Sequence, residues 1–239
     1  MLGTFYGVGV GPGDPELITV KALALLKAVP VIYVPKSREE SGSFALSIID
    51  SYIDRGRQEI IDLIFPMCKD TSGLSVFWDR SVALILERLS RGLNVAAVCI
   101  GDPLLYSTFS FLLERILEKE PTLAVEIVPG VTSISACTAA VRVPLVQGGE
   151  RLAVIPATYH EKALREALEG YEGVILMKLN RVADRVLALL DTLGLTDQAV
   201  FVSRCGTDRQ EVIRDVTQLK GQTLDYHSLM IVRKRNAKP

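Results

Sequence analysis

A glycine-rich turn near the N-terminus, Val8-Gly9-Val10-Gly11-Pro12-Gly13-Asp14-Pro15-Glu16, is the stretch whose residue types could best hold a ligand. It lies between a β-branched and aromatic run at 4–8 and a segment at 17–26 whose apolar residues recur at helical spacing. We expect Asp14 to cap this helix and Pro15 to be its first residue, because a carboxylate accepts an unpaired amide and proline has none. The stretch therefore predicts a strand, a sharp turn and a helix.

The glycine turn does not match the two common phosphate-binding patterns. A dinucleotide-binding turn has glycines spaced by two and then three residues, and here the third position falls on Pro12, Asp14 or Glu16. No Gly-Lys-Ser or Gly-Lys-Thr follows, so the P-loop pattern fails as well. Two carboxylates at the positive end of a helix would also oppose a bound phosphate. A polyphosphate ligand is therefore disfavoured, and a purely structural turn is the alternative.

Two further turns of glycine and proline follow predicted strands. Gly101-Asp102-Pro103 comes after the continuous apolar run at 94–100, and Pro129-Gly130 comes after the run at 124–128. Ligands of open α/β sheets bind beyond the carboxyl ends of the strands. We therefore expect these two turns and the first glycine turn to face one crevice.

Strands and helices alternate along the first part of the chain, which predicts an α/β domain with a five-stranded parallel, doubly wound sheet at 1–146. The predicted strands cover 4–8, 31–35, 59–65, 94–100 and 124–128, and helices are expected near 17–26, 43–52, 72–90, 111–119 and 134–141. The alternation pauses at 144–150. Residues 147–239 are predicted to form a second α/β domain with a mixed sheet, because strands at 199–204, 211–216 and 228–232 follow one another with little helix between them.

Charge and cysteine content exclude several classes of protein. A formal net charge of -1 gives no overall attraction to nucleic acid or to an anionic membrane. The four cysteines, Cys68, Cys99, Cys137 and Cys205, form no short-spaced pair, and with two histidines they match no zinc pattern. Buried free thiols suit a reducing cytoplasm. We expect a cytoplasmic protein with no protein-bound metal, no leader peptide and no membrane span.

Five segments, taken together and in this order, carry a resemblance to a known family. They are Gly9–Thr19, Gly101–Thr108, Pro129–Ser133, Ile175–Lys178 and Ser228–Val232. With these segments the chain resembles, over nearly its whole length, the tetrapyrrole methylase family. Members of that family transfer methyl groups from S-adenosylmethionine to corrin and porphyrin precursors.

Within the family the chain is most similar to the precorrin-2 / cobalt-factor II C20-methyltransferases of cobalamin biosynthesis. The segments that carry this similarity are Tyr33–Ser37, Phe65–Met67 with Trp78-Asp79, Tyr106–Thr108, and Pro144-Leu145 with Gly149–Leu152. The uroporphyrinogen-type members usually have an Asp after the Tyr of the second strand, where this chain has Val34-Pro35. An acid/base role for that Asp is therefore not carried over.

The resemblance implies that S-adenosylmethionine lies folded in the cleft between the two domains, held mainly by backbone groups, and leaves as S-adenosylhomocysteine. The matching positions are Pro12, Ile100, Gly101, Asp102, Leu105, Thr132, Ser133, Met177 and Gly206. Because this cofactor has no phosphate, the failed phosphate patterns are no objection. Asp102 is suited to accept a hydrogen bond from a ribose hydroxyl or from the amino-acid ammonium, and its alternative role is to cap the next helix.

Methyl transfer from a sulfonium to an electron-rich meso carbon needs alignment rather than a protein nucleophile, and no catalytic triad is visible in the sequence. A proton must leave the methylated carbon, and Tyr106 or Glu150 is a possible acceptor. Because the tetrapyrrole carries many carboxylates, we expect basic residues near strand ends to bind them, namely Lys36, Arg38, Lys178 and Arg204. The family resemblance also implies a homodimer.

Several other functions remain open at this point. A sibling methylase could act at another ring carbon, and a diphthine-synthase-like or ribosomal-RNA methylase shares the glycine turn and the Gly-Asp-Pro segment, although the chain lacks a basic nucleic-acid face. A non-catalytic tetrapyrrole-binding domain would keep the same fold. A Rossmann oxidoreductase is disfavoured by the failed dinucleotide spacing. Whether the acceptor already holds cobalt is also left open.

Overall fold

A computed structural model describes residues 1–66 and 74–234, except for the side chain of residue 74. The chain divides into two compact units, the first ending at Thr132 and the second beginning at Ser133. Each unit contains one five-stranded sheet with helices. The predicted architecture of two α/β domains is therefore confirmed. Cys68 and residue 72, where a helix was predicted to begin, lie outside the described residues.

The first unit alternates strands and helices in the predicted order. Its elements are β1 (Phe5–Gly9), α1 (Val20–Ala28), β2 (Val31–Lys36), α2 (Phe44–Ile49), β3 (Glu59–Ile64), α3 (Leu74–Ser90), β4 (Val95–Cys99), α4 (Phe109–Lys119) and β5 (Val125–Val128). The strands are ordered β3-β2-β4-β1-β5, and every neighbouring pair is parallel. The predicted parallel sheet is confirmed, with β1 between β4 and β5.

Both faces of the first sheet are buried, which explains why its central strands are continuously apolar. Side chains alternate between the two faces, so that Tyr33 packs with α3 and α4 while Ile32 and Val34 pack with α1 and α2. Gly7 stands against the ring of Phe109, where a Cβ would overlap the ring atoms. The sheet is thus a two-sided core that fixes where its strand ends emerge.

The start of the first helix differs from the prediction. Asp14 does act as a cap, accepting a hydrogen bond from the Glu16 amide at 2.9 Å, but the helix it caps is a single 3-10 turn at Pro15–Leu17. The α-helix begins at Val20, and Thr19 caps it by accepting from the Ala22 amide at 3.2 Å. Two caps in succession divide what periodicity predicted as one helix, because Ile18 and Thr19 have extended backbone.

The second unit has a mixed sheet, as predicted. It contains α5 (Ser133–Val141), β6 (Leu152–Pro156), α6 (Glu161–Gly170), β7 (Gly173–Met177), α7 (Ala183–Thr192), β8 (Ala199–Ser203), β9 (Glu211–Ile213) and β10 (Ser228–Arg233). The strand order is β6-β7-β10-β8-β9, in which only β6 and β7 pair in parallel. Because β10 is antiparallel to both neighbours, its first residue lies beside the last residues of β7 and β8.

The division between the two units lies before α5, whereas the domain boundary predicted from the sequence lies after it, between 146 and 147. The predicted boundary rested on the pause in the strand–helix pattern at 144–150. In the structure, α5 belongs to the second unit, which begins at Ser133. The boundary at 146/147 stays a prediction about domain organisation.

Candidate functional site

The carboxyl edge of the first sheet brings three glycines of the predicted turns into direct backbone contact. A Cβ on Gly9 would lie 2.5 Å from the carbonyl oxygen of Gly101 and 2.6 Å from the amide nitrogen of Gly130. A Cβ on Gly130 would overlap the same Gly101 oxygen and lie 2.9 Å from the Gly9 Cα. Main chain therefore meets main chain after β1, β4 and β5, with no room for a side chain between them.

Hydrogen bonds continue beyond the ends of β1 and β4. The Val10 amide donates to the Cys99 carbonyl at 3.0 Å, and the Gly101 amide donates to the Gly11 carbonyl at 2.8 Å. Gly11 and Gly101 both have positive φ, 86° and 69°, a conformation that glycine adopts without steric cost. The two predicted turns are thus joined to each other, as expected for turns that follow neighbouring strands.

Asp102 links the second of these turns to the third. One carboxylate oxygen accepts from the Leu104 amide at 2.9 Å, and the other accepts from the Gly130 amide at 3.2 Å. The helix-capping alternative for Asp102 is wrong, because α4 begins only at Phe109, whose amide donates to Ser107 Oγ. A carboxylate has about four acceptor positions, so these two bonds leave capacity for a ligand donor.

The other predicted cofactor residues of this edge lie near the three turns in sequence. Pro12 is buried, Ile100 is half-buried and Leu105 is 40% exposed. Thr132 ends the first unit, and Ser133 is the first residue of α5 in the second. Their contact with a cofactor stays a prediction.

Of the two basic residues predicted near β2, one is already paired. Lys36 Nζ lies 2.6 Å from Asp62 Oδ2, and the Lys36 side chain is 16% exposed. Arg38 is exposed in a turn that is closed by hydrogen bonds between its own backbone and Ser41 Oγ. Within the described residues, Arg38 is therefore the more accessible of the two cations.

At the carboxyl edge of the second sheet, four predicted site residues come together. The pairings Leu229↔Met177 and Ser228↔Ser203 place the start of β10 between the ends of β7 and β8. Lys178 follows β7 directly, and Arg204 follows β8 directly, with Gly206 two residues further on. Met177, Lys178, Arg204 and Gly206 thus share one edge of this sheet.

Backbone conformation also sets three predicted residues apart. Tyr106, Arg142, Lys178 and Arg204 are the non-glycine residues with positive φ in the described part of the chain. Arg142 is accounted for by the end of α5, where a left-handed residue commonly terminates a helix. The left-handed region costs an L-residue about 1–2 kcal/mol. Such conformations concentrate at functional sites, which favours a role for Tyr106, Lys178 and Arg204.

Sequence reasoning missed the residue that holds Arg204. Asp225 Oδ2 lies 2.7 Å from Arg204 Nε and 2.6 Å from Nη2. Burial raises the pKa of Asp225, but the hydrogen bond from the His227 amide and the guanidinium of Arg204 hold it below its ordinary value. Burial also lowers the pKa of His227, which disfavours the charged form of its imidazole. No short spacing in the sequence could have revealed this cluster.

Glu150, one of the two predicted proton acceptors, is paired with Arg233. Its Oε2 lies 2.5 Å from Arg233 Nη2 and accepts from the Gln147 amide at 2.6 Å. The hydrogen bond from Arg233 holds the pKa of Glu150 below its ordinary value, which makes the carboxylate a weaker base. This geometry favours a structural role, tying the 147–150 loop to β10. Tyr106, the other predicted acceptor, is 45% exposed after Asp102-Pro103.

Three cysteines in the described residues are free and buried. Burial raises the pKa of Cys99 to about 12, so its thiol is protonated and inert at neutral pH. Contact with Cys205, together with burial, raises the pKa of the Cys137 thiol. The same residues contain no group of three or more His, Cys, Asp and Glu side chains that could hold a metal ion. Nor do they include a helix of the length and apolarity that crossing a membrane requires.

Comparison with known proteins identifies the family of this chain. A family model described as Tetrapyrrole (Corrin/Porphyrin) Methylases matches residues 4–219. The cobalt-precorrin-2 C(20)-methyltransferase of Salmonella typhimurium is 34% identical, over 98% of this chain and 98% of that protein. The precorrin-2 C(20)-methyltransferase of Sinorhizobium sp is 31% identical, over 97% and 95%.

A solved structure gives the same result for the fold. Uroporphyrin-III C-methyltransferase from Thermus thermophilus, complexed with S-adenosylhomocysteine, has a TM-score of 0.70 and 22% identity, covering 97% of this chain and 98% of that one. The chain belongs to the tetrapyrrole (corrin/porphyrin) methylase family, and it is a methyltransferase.

Proposed function

We propose that this protein transfers a methyl group from S-adenosylmethionine to the C20 meso carbon of precorrin-2 or of cobalt-factor II in cobalamin biosynthesis. The observation that carries the proposal is that two relatives aligned over nearly the whole chain, at 34% and 31% identity, are both C(20)-methyltransferases of a precorrin-2. One of these names includes cobalt and the other does not. Both acceptors are therefore candidates.

The carboxyl edge of the first sheet, called the first edge below, fits a cofactor that is held by backbone groups. The close approach at Gly9, Gly101 and Gly130 places main chain, with no side chain between, at the ends of β1, β4 and β5. Pro12, Ile100, Gly101, Asp102, Leu105 and Thr132 are the residues of this unit that would hold the cofactor. Ser133, Met177 and Gly206 are proposed as cofactor residues from the family resemblance alone. The Thermus enzyme of the same fold is complexed with S-adenosylhomocysteine, the product that this proposal requires.

When bound, S-adenosylmethionine supplies an electrophilic methyl group on a sulfonium. The chain's own residues have to hold the acceptor carbon in line with that group, and alignment of two reactants can lower a barrier by about 7–11 kcal/mol. Arg204 and Lys178 would bind acceptor carboxylates at the carboxyl edge of the second sheet, called the second edge below. Arg38 and Lys36 are further candidates for binding these carboxylates. Because Lys36 is paired with Asp62, its contribution is expected to be smaller than that of Arg38.

Tyr106 is proposed to accept the proton that leaves C20 at its phenol oxygen while its own hydroxyl proton passes to water. Its support is its left-handed backbone, its partial exposure and its position four residues after Asp102. Replacing Tyr106 by Phe should lower kcat while leaving the affinity for S-adenosylmethionine unchanged. Full turnover by this variant would remove Tyr106 from the mechanism.

We also propose that the enzyme is a cytoplasmic homodimer. The first unit exposes apolar side chains that a second copy of the chain could cover, among them Val20 (85% exposed) and Phe111 (51% exposed). Light scattering of the purified protein should give twice the 26.2 kDa chain mass. A mass of one chain at micromolar concentration would contradict the dimer.

The test of the reaction is incubation with S-adenosylmethionine and, separately, with metal-free precorrin-2 and with cobalt-factor II. Mass spectrometry should show one added methyl group, and NMR should place it on C20. The preferred acceptor then decides whether cobalt is present before this step. Binding of S-adenosylmethionine with methylation at another carbon would instead assign the chain to a sibling methylase.

A further inference from the structure

Asp225 fixes the side chain of Arg204 at the edge of the second sheet. Its Oδ2 accepts a hydrogen bond from Arg204 Nε at 2.7 Å and lies 2.6 Å from Nη2 in the same ion pair. The two side chains are only 33% and 25% exposed, so water screens their attraction less than at a fully exposed pair. The guanidinium is therefore held in one orientation beyond the end of β8.

Further hydrogen bonds hold Asp225 in place. Oδ1 accepts from the His227 amide at 2.8 Å, and the Asp225 carbonyl accepts from Ser228 Oγ at 2.6 Å. The Arg204 backbone is held as well, because its amide donates to the His227 carbonyl at 2.8 Å and its carbonyl accepts from Thr207 Oγ1 at 2.8 Å. The loop after β8 and the turn before β10 thus form one hydrogen-bonded unit.

This pairing uses only part of the guanidinium. Arginine has five N–H donors in a planar guanidinium, and Asp225 accepts from one of them, Nε–H, while pairing with the Nη2 group by charge. Among the described residues, no other hydrogen-bond acceptor or carboxylate lies within bonding distance of the Arg204 guanidinium. A guanidinium that is already oriented loses less side-chain entropy when it binds a carboxylate. Arg204 is thus prepared to bind a second carboxylate on its remaining donors.

We propose that Asp225 is a positioning residue for the acceptor, acting through Arg204, which binds a peripheral carboxylate of the tetrapyrrole at the edge shared by β7, β8 and β10. This inference rests on the proposed function and adds to it the residue that sets the orientation of the cation. Lys178 lies at the same edge across β10 and is suited to a neighbouring carboxylate.

The decisive variant is Asp225→Asn. Asparagine keeps an oxygen for the His227 amide but places an uncharged amide against the guanidinium. A hydrogen bond to a charged group is strong enough that its loss should raise KM for cobalt-factor II roughly tenfold. We expect kcat and the KM for S-adenosylmethionine to change less than about twofold, because neither Asp225 nor Arg204 is among the residues proposed to hold the cofactor.

A double-mutant cycle separates positioning from a merely structural role. Arg204→Ala should also raise the KM for cobalt-factor II, and adding Asp225→Asn to it should have no further effect on that KM. If Asp225→Asn weakens acceptor binding equally with and without Arg204, the proposal is overturned. A fall in kcat with unchanged KM would overturn it as well.

Glu172→Gln is the matched control. Glu172 pairs with Arg151 through three hydrogen bonds at the opposite edge of the same sheet, before β6 and β7. Removing this carboxylate should leave the KM for the acceptor unchanged. A rise in KM equal to that of Asp225→Asn would show that any lost ion pair in this unit has the effect, and the proposal would fail.

Equilibrium titration of cobalt-factor II absorbance, in the absence of S-adenosylmethionine, keeps this inference separate from the proposed reaction. If the wild-type protein binds cobalt-factor II but methylates neither it nor precorrin-2, the proposed function fails, while a tenfold weaker affinity of Asp225→Asn still supports the positioning role. If the wild type methylates C20 and both Asp225→Asn and Arg204→Ala bind as tightly as wild type, the positioning role fails and the function stands.

Discussion

The two carboxyl edges of the sheets use different parts of the polypeptide. At the first edge, Gly9, Gly101 and Gly130 bring main chain against main chain, and one short carboxylate, Asp102, joins two of the turns. At the second edge, the long cations Lys178 and Arg204 follow their strands in left-handed conformations. The first edge is therefore suited to a ligand recognised by backbone groups, and the second to a ligand that carries negative charge.

This difference predicts different sensitivities to mutation. Backbone packing allows no added atom, so changes at the first edge should damage the fold and the cofactor site together. Cationic side chains can be removed one at a time, so changes at the second edge should alter acceptor affinity without unfolding the protein.

The largest effect is expected from Gly130→Ala. The new methyl group would overlap the Gly101 carbonyl oxygen, which belongs to the backbone and has no rotamer to change. We expect a loss of about 3 kcal/mol in the free energy of unfolding, at the upper end for an overpacked site, and methyl transfer at background level. Urea unfolding and the methylation assay measure the two effects.

Gly42→Ala is the control for that variant, because a Cβ at Gly42 has no neighbour within 4 Å. It should leave both stability and activity near wild type. If Gly130→Ala were as stable and active as Gly42→Ala, the backbone contact would have no importance for the fold or for the site.

A smaller effect is expected from Asp102→Ala, which removes acceptors from the Leu104 and Gly130 amides. Two lost hydrogen bonds should cost about 2 kcal/mol of stability, and the displaced Gly130 turn should weaken binding of S-adenosylmethionine roughly tenfold. Calorimetric titration measures the affinity. Asp54→Ala removes a similar carboxylate from the Gly56 amide, and it should leave that affinity unchanged.

Glu150→Gln tests whether every carboxylate near the second sheet serves the reaction. Because Glu150 is paired with Arg233 and its pKa is lowered, we expect kcat to stay within about twofold of wild type. The effect of Glu150→Gln should be confined to a modest decrease in melting temperature. A tenfold fall in kcat with an unchanged melting temperature would instead establish Glu150 as the proton acceptor.

The smallest effect concerns pH and the opposite edge of the second sheet. The hydrogen bond from Arg151 lowers the pKa of Glu172 from 4.5 to about 2. Since the lowered value belongs to the folded state, this pair stabilises the protein above about pH 4.5 and loses its contribution as the pH falls towards 2. The free energy of unfolding should therefore fall more steeply over that range in wild type than in Glu172→Gln. If the free energy of unfolding fell equally steeply with pH in both proteins, the stabilising role of the Glu172–Arg151 pair would be contradicted.

Most residues of the first edge could be predicted from the sequence. Glycine and proline after apolar runs indicate strand ends, and the alternation of strands with helices brings those ends to one edge. Periodicity failed at residues 17–20, because the apolar spacing continues through the extended Ile18 and Thr19. Local caps decided the helix start against the longer-range pattern.

The residues of the second edge could be predicted only in part. The resemblance supplied Met177 and Gly206, and strand ends suggested Lys178 and Arg204, but Asp225 was missed. It lies 21 residues from Arg204, and their contact depends on β10 returning antiparallel beside β8. The pairing of Glu150 with Arg233 spans 83 residues and was invisible for the same reason. Contacts set by sheet order rather than by spacing need the structure.

The contact of Gly9, Gly101 and Gly130 also limits how the protein can evolve. When a large side chain enters a core, a smaller neighbour elsewhere can restore the fit. Here the neighbours are a carbonyl oxygen, an amide nitrogen and α-carbons, so no substitution at the other two positions can make room. An alanine at Gly9 or at Gly130 should have no second-site suppressor within the trio, and the codons of these two glycines are expected to drift less than those of the apolar core around them.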